Sequence, residues 1–454
     1  MKINPGLYIS SSLSGYMCLA TLFFAFHGIC DGAELDFNGN SLRVLKYDAP
    51  TSSGLERIYV AYNLNGVSAS FQSETPVRWF SFSNLGGGFA QEETNVIHDG
   101  DKWTLTNIKG DTGYIVESEG RQYCFWIVDY SAHRLSVKSL SPSPESACDA
   151  TILLADGEGD PIHYFTILGQ QQTLSREIVV SYRSLDWDSE KCQFNEIDKT
   201  TILENFSQEL RISPPALCQT QFILNGDRFL QAWNWGIEVI SPAIAPISVE
   251  AYTSASQTNI PDSEIKSNVI KTENEGALGG SAPVSIDFQA WVSDAVAHSE
   301  WQFARDQTFS TLENRIFSQD ISFDFMEEGT YYARFIASNS DGSCETIGDT
   351  YTIVIGASDL KIPNAFSPNG DGINDEWKVA YKSLLSFECW IFDRYGNQIC
   401  HLEAPDQGWD GKRGGKTVPP GVYYYVIQAT GADGKKYKES GDINILRSEA
   451  VPKE

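Results

Sequence analysis

The chain has 454 residues, a formal net charge of −27, 24 Phe, 20 Tyr and 11 Trp, and only three Met. At roughly 100–150 residues per domain it holds three or four domains, and its acidic balance argues against non-specific binding to nucleic acid or to an anionic membrane, both of which need clustered Lys and Arg. Val, Ile, Thr and aromatic residues recur in short runs bounded by Gly, Asn, Asp and Ser, the composition of an all-β protein. The acidity is uneven: residues 33–357 carry 20 Lys and Arg against 45 Asp and Glu, whereas residues 358–447 carry 11 against 12.

Residues 1–32 read as a signal peptide, with Lys2, a Ser-rich lead and the apolar run from Tyr16 to Phe26, too short to span a bilayer as a mature helix. Export places the remaining cysteines in an oxidising compartment, where pairing is the default. Seven of them follow residue 32, so at least one stays unpaired. Proximity in sequence predicts Cys124 with Cys148 and Cys192 with Cys218. Cys389 and Cys400 fall on the arms of a hairpin around Tyr395 and Gly396. With Cys389 facing Leu402 and Ile391 facing Cys400, the two thiols sit diagonally on one face, as a disulfide or as two free thiols.

Residues 33–149 show runs at strand spacing, among them Arg57–Asn63, Val77–Phe82 and Tyr123–Val128, whose alternation predicts a first β-sandwich. Residues 150–250 repeat the texture and predict a second. Within it, Trp187, Trp233 and Trp235 lie beside Asp186, Asp188 and Asn234. Such rings either stack on a sugar, with polar neighbours taking its hydroxyls, or plug the sandwich core. Residues 251–280, rich in Ser, Thr, Asn, Glu and Gly, read as a linker into the next domain. Over 281–356 the entering Ser281-Ala282-Pro283, Trp301 on a strand, and Glu327-Glu328-Gly329-Thr330-Tyr331-Tyr332 resemble the PKD-like branch of the immunoglobulin-like folds. That resemblance implies a spacer or adhesion unit without chemistry of its own.

Residues 358–447 open on Ile362-Pro363-Asn364-Ala365-Phe366-Ser367-Pro368-Asn369-Gly370-Asp371-Gly372-Ile373-Asn374-Asp375-Glu376. Pro363 and Pro368 fix φ, Gly370 and Gly372 permit φ > 0, and the Asn and Asp side chains bond their own backbone, so this is a shaped loop. Arg394 and Gly396 mark a tight turn, Trp409-Asp410-Gly411 a second, and Gly421 and Tyr423 begin a strand. In order and spacing these motifs resemble the gliding-motility-associated C-terminal domain of Bacteroidetes surface proteins, the type B sorting domain of the type IX secretion system. The resemblance implies a small antiparallel sandwich read by the outer-membrane translocon, with a dedicated outer-membrane barrel protein as a further partner. Asn369, Asp371, Asn374 and Asp375 offer hard oxygens suited to Ca²⁺. An EF-hand template fails, because Ile373, Asn374 and Ala380 stand at its fifth, sixth and twelfth positions, so a loop closed by its own hydrogen bonds is the alternative.

No His-x-x-x-His pair and no Gly-x-Ser-x-Gly elbow occurs. Paired acids alone do not make a glycosidase. The expected architecture is therefore a set of tandem immunoglobulin-like β-sandwiches, elongated, in a secreted surface protein that is not an enzyme and takes no cofactor beyond a structural Ca²⁺. Its expected task is adhesion or surface assembly on a glycan or protein ligand. A glycan-binding module built on residues 185–235 and a polysaccharide hydrolase are the alternatives.

Overall fold

A computed structural model describes residues 33–39, 43–145, 147–257 and 278–446, and the signal peptide expected over residues 1–32 lies outside them. The described chain is β-structure throughout, with one five-residue α-helix and two short 3-10 turns. No described helix is long and apolar enough to cross a membrane. The chain divides into two compact units, one of residues up to Tyr130 together with His163–Gln172, the other of the remainder.

The first unit packs a four-stranded sheet on a six-stranded one. In the larger sheet Arg57–Ala61 pairs in parallel with Arg121–Asp129, and the other neighbours are antiparallel. Tyr59, Trp79, Tyr114, Phe125 and Ile127 fill the space between the sheets. On the opposite face Trp126 is also fully buried, against Phe82 and Phe165 at 5.9 and 5.8 Å. Burial on both faces explains why these two central strands read as apolar runs and not as strict alternation.

The second unit begins with strand Ser136–Pro142, which pairs with Thr151–Glu158, itself paired with Glu209–Ile212. The boundary expected at 149/150 therefore falls earlier, near residue 131, because Ser136–Pro142 spends its backbone hydrogen bonds on the second domain. Opposite lies a four-stranded sheet dominated by the hairpin Ile178–Asp188 and Gln193–Leu203. One α-helix, Arg228–Ala232, starts where Asp227 accepts the Leu230 N–H at 3.0 Å, a side-chain N-cap. The same carboxylate takes Nη1 of Arg176 at 2.7 Å, and both side chains are fully buried. Arg176 also donates to the carbonyls of Asp160 and His133, so the buried cation is widely satisfied.

The linker expected over 251–280 is corrected at both ends. Ala251–Gln257 is a strand paired with Val284–Val292, and Leu278–Gly280 is a strand parallel to Tyr351–Ile355. Its polar side chains suggested solvent because only one face of an outer strand is covered. These strands join the third sandwich, whose core centres on Trp301, packed between Phe288 and Phe335 at 5.0 and 5.2 Å, with its indole N–H donated to the Gln319 carbonyl.

The expected disulfides are also corrected. Cys148 pairs with Cys344, 196 residues away, while Cys124, Cys192, Cys218, Cys389 and Cys400 are free thiols. Cys344 sits in a turn formed by Asn339 and Asp341, whose side chains accept the N–H groups of Cys344 and Ser343. The bond thus joins the second sandwich to the third. A second contact joins the third sandwich to the last domain. Ser383, buried at φ 49°, takes the hydroxyl of Ser281 as acceptor for its N–H and donates its own hydroxyl to the Gly356 carbonyl.

In the last domain Ala365–Phe366, Lys436–Ile445, Gly421–Gly431, Leu384–Phe392 and Gln398–Leu402 form one five-stranded sheet in that order. Asp359–Lys361 and Ala380–Lys382 pair across from it. The hairpin register has Cys389 facing Leu402 and Ile391 facing Cys400, as the sequence predicts.

Candidate functional site

The motif residues of the C-terminal domain divide by what they touch. One group is a buried frame. Trp377 and Trp409 are fully buried and exchange two backbone hydrogen bonds, at 2.9 and 3.0 Å. Their indole N–H groups go to the carbonyls of Pro363 and Lys412 at 2.7 and 2.9 Å. Phe366 and Tyr423 pack on Trp409 with centroids 5.4 and 5.1 Å away, and the Tyr423 hydroxyl donates to the Pro419 carbonyl. Gly411 is buried at φ +72°, and a Cβ there would stand 3.1 Å from Pro368 and 3.4 Å from Phe366. Asn364 lends its carbonyl to the Asn444 N–H, which pins the start of the loop to the sheet. Gly421, at φ +142°, opens its strand in a conformation suited to glycine.

A second group shapes the loop. The Asp375 carboxylate accepts the N–H of Gly370 at 2.6 Å with one oxygen and that of Gly372 at 2.8 Å with the other. Asp371 accepts the Ile373 N–H at 2.8 Å and the Asn369 amide at 2.8 Å, while the Asn369 carbonyl oxygen accepts the Asp371 N–H. Asn374 adopts φ 54°, and its backbone carbonyl takes the Ser367 N–H. These backbone donors hold the Asp375 carboxyl below its usual range. Of the four side chains considered for Ca²⁺, those of Asn369, Asp371 and Asp375 are thus engaged within the loop, with the oxygens of both carboxylates already directed at donors there.

A third group is displayed. Ile373, at the loop tip, is 67% exposed and Tyr395 77% exposed, with the Arg394 guanidinium 5.1 Å above the Tyr395 ring. The turn that carries Tyr395 is tied by Asp393, which accepts from Tyr395 and Asn397, with Gly396 at φ +84°. Asp410 ties the neighbouring turn through the N–H and ammonium of Lys412. The sequence reading missed Ile373 and Tyr395 as presented side chains. An apolar side chain at the tip of a loop of Gly, Asn and Asp was the available signal.

The tryptophan platform is not assembled. Trp187 stacks on Tyr252 at 4.6 Å and 4°, with Phe194 and Trp291 beside it. Trp233 and Trp235 face one another at 6.5 Å next to the helix. The helix follows Gly226, whose carbonyl takes the Val179 N–H. Trp187 lies eight residues further along that strand, roughly 26 Å at about 3.3 Å per residue. Two of the grooves among the described residues of the second unit hold charged side chains at a sheet surface. One of about 790 Å³ is lined by Arg183, Lys199, Thr200 and a single carboxylate, Asp198. In the other, of about 490 Å³, Glu300 is held by Arg315 through two hydrogen bonds at 2.9 Å. Among the described residues no group of three or more His, Cys, Asp or Glu side chains is placed to hold a metal ion.

Residues 360–445 match the CHU_C type IX secretion signal domain, and residues 140–241 match a fibronectin type III domain. Solved structures similar to the chain include the tetra-tandem repeat in the extending region of a large adhesion protein, at 10% identity, TM-score 0.20, covering 85% of this chain and 96% of that one. A Ca²⁺-stabilised adhesin of an Antarctic bacterium that binds ice gives 10% identity, TM-score 0.19 and coverages of 89% and 99%. The fibronectin(III)-like modules of Clostridium thermocellum CbhA give 13%, 0.17, 41% and 98%. A search of the curated proteins finds no match.

Proposed function

Proceeding from a C-terminal type IX secretion signal, which implies export to the cell surface or the extracellular space, we propose that this protein is a non-enzymatic adhesion or surface-assembly component and that residues 358–447 are its export address. The observation that carries this reading is the coincidence of the matched segment with a domain that presents Ile373 and Tyr395 on loops closed by their own hydrogen bonds. A folded epitope of rigid loops suits recognition by an outer-membrane translocon and by a dedicated barrel partner. The immunoglobulin-like and fibronectin-like domains before it supply binding surface and reach.

Deleting residues 358–447 abolishes surface display, and fusing them to a periplasmic reporter confers it. Undiminished display of the truncated chain overturns the reading. A glycan array on residues 34–250 tests the ligand. Binding lost on Trp235→Ala alone would assign it to the helix-side pair, whose Trp235 is 38% exposed.

A further inference from the structure

Among the described residues, the five-stranded sheet of the C-terminal domain leaves two outer sides open, along Gln398–Leu402 and along most of Lys436–Ile445. Strand Lys436–Ile445 is covered on its outer side only at Asn444 and Ile445, by Ala365–Phe366. The N–H groups of Asn444 and Leu446 point outward, to the carbonyls of Asn364 and Phe366. By the two-residue period of a strand, those of Lys438, Ser440 and Asp442 point outward as well. The described residues give them no backbone partner. These three side chains share the solvent face and are exposed, and Lys438 has no ion-pair partner among the described residues.

We propose that this edge pairs with the same edge of a second copy of the chain, antiparallel and centred on Ser440. Because the outward-facing groups belong to even-numbered residues, the hydrogen-bonded pairs must join even to even. Centring on Ser440 sets Lys438 opposite Asp442 of the other copy and Asp442 opposite its Lys438, with Ser440 opposite Ser440. On the inner side Glu439 then meets Gly441, which has no side chain to oppose it. The register gains about six backbone hydrogen bonds and two ion pairs and places no like charges face to face. A register centred one residue earlier would set Glu439 against Glu439. Lysine on an edge ordinarily repels foreign strands, and here the same lysine finds its counter-charge only in its own sequence run backwards. Gly441 also lets the strand lie against Tyr425, whose hydroxyl would be 2.6 Å from an added Cβ.

The test is the mass of the intact exported chain by light scattering across micromolar to sub-millimolar concentrations, with three variants. The unaltered chain reaches twice its monomer mass. Lys438→Glu and Asp442→Lys each weaken dimerisation about tenfold or more, since each turns two attractive contacts into repulsive ones. The double variant K438E/D442K restores it by exchanging the charges. Ser440→Pro, which removes an outward N–H and no donor to Gly421–Gly431, gives a folded monomer by circular dichroism. A monomer at every concentration, or a double variant no tighter than the single ones, overturns the proposal. So does a monomer whose export is blocked by Ser440→Pro, which would give the edge to a translocon strand instead.

Discussion

Asp375 shows how much of the signal loop hangs on one carboxylate. Its two oxygens close the turn from both sides, at Gly370 and Gly372, and these backbone donors lower its pKa. The folded-state value lies below the unfolded one, so the group stabilises the fold above the ordinary carboxylate range and loses that contribution as pH falls through the folded value, beneath 3.8. Asp375→Asn should therefore lower the melting temperature at pH 7 and flatten its dependence on pH below about 4, measured by thermal scans. Since both carboxylates of the loop already accept donors, adding Ca²⁺ should leave the melting temperature unchanged, and an upward shift would show a bound ion. The free thiols differ as sharply. Burial pushes Cys389 up to about 12 and Cys124 up to about 11, whereas Cys192 is exposed at the tip of its hairpin. Alkylation of the native protein at pH 8 should label Cys192 first and leave Cys389 untouched until the chain unfolds.

At the level of the element, the helix Arg228–Ala232 and the cap at Asp227 were not legible, because a five-residue helix has no apolar period to read. Asp227 acts twice, as N-cap and as the partner of Arg176. Replacing it with Ala strands a buried guanidinium as well as an uncapped turn, and should cost about 3–5 kcal/mol in chemical denaturation. Gln193–Leu203 is hard to read for a different reason: its Asn, Glu, Asp, Lys and Thr carry no clear apolar alternation, yet it pairs along its full length with Ile178–Asp188. An outer strand with one half-covered face carries little hydrophobic signal. The Cys389 hairpin was readable as far as Ile391 opposite Cys400, from the apolar pattern around Tyr395-Gly396, whereas the one-residue shift that sets Phe392 opposite Gln398 leaves no such signal. The loop before it was readable because Gly, Pro, Asn and Asp encode turns locally. What lay beyond reach were pairings across long separations, such as Trp187 with Tyr252 and Cys148 with Cys344.

In the whole second unit, domains are joined by specific contacts as well as by chain. Ser383 sits at the seam before the last domain, fully buried and hydrogen-bonded to Ser281 and Gly356. Ser383→Ala leaves the Gly356 carbonyl without that donor and should destabilise the unit by about 1–3 kcal/mol, read from the denaturation midpoint. The bond between Cys148 and Cys344 has a mechanical side. When the chain is held at its C-terminal domain and drawn from its N-terminus, tension runs through that covalent bridge and skips everything between the two cysteines. Of the fibronectin-like domain, strand Ser136–Pro142 precedes Cys148 and stays on the load path, while the strands after Cys148 are taken off it. In a single-molecule pulling experiment, reduction should release about 70 nm of additional contour, from a 196-residue separation at about 3.6 Å per residue. Under such a pull the ladder between Ser136–Pro142 and Thr151–Glu158 is the part of that domain placed in tension, and the strands beyond it are spared.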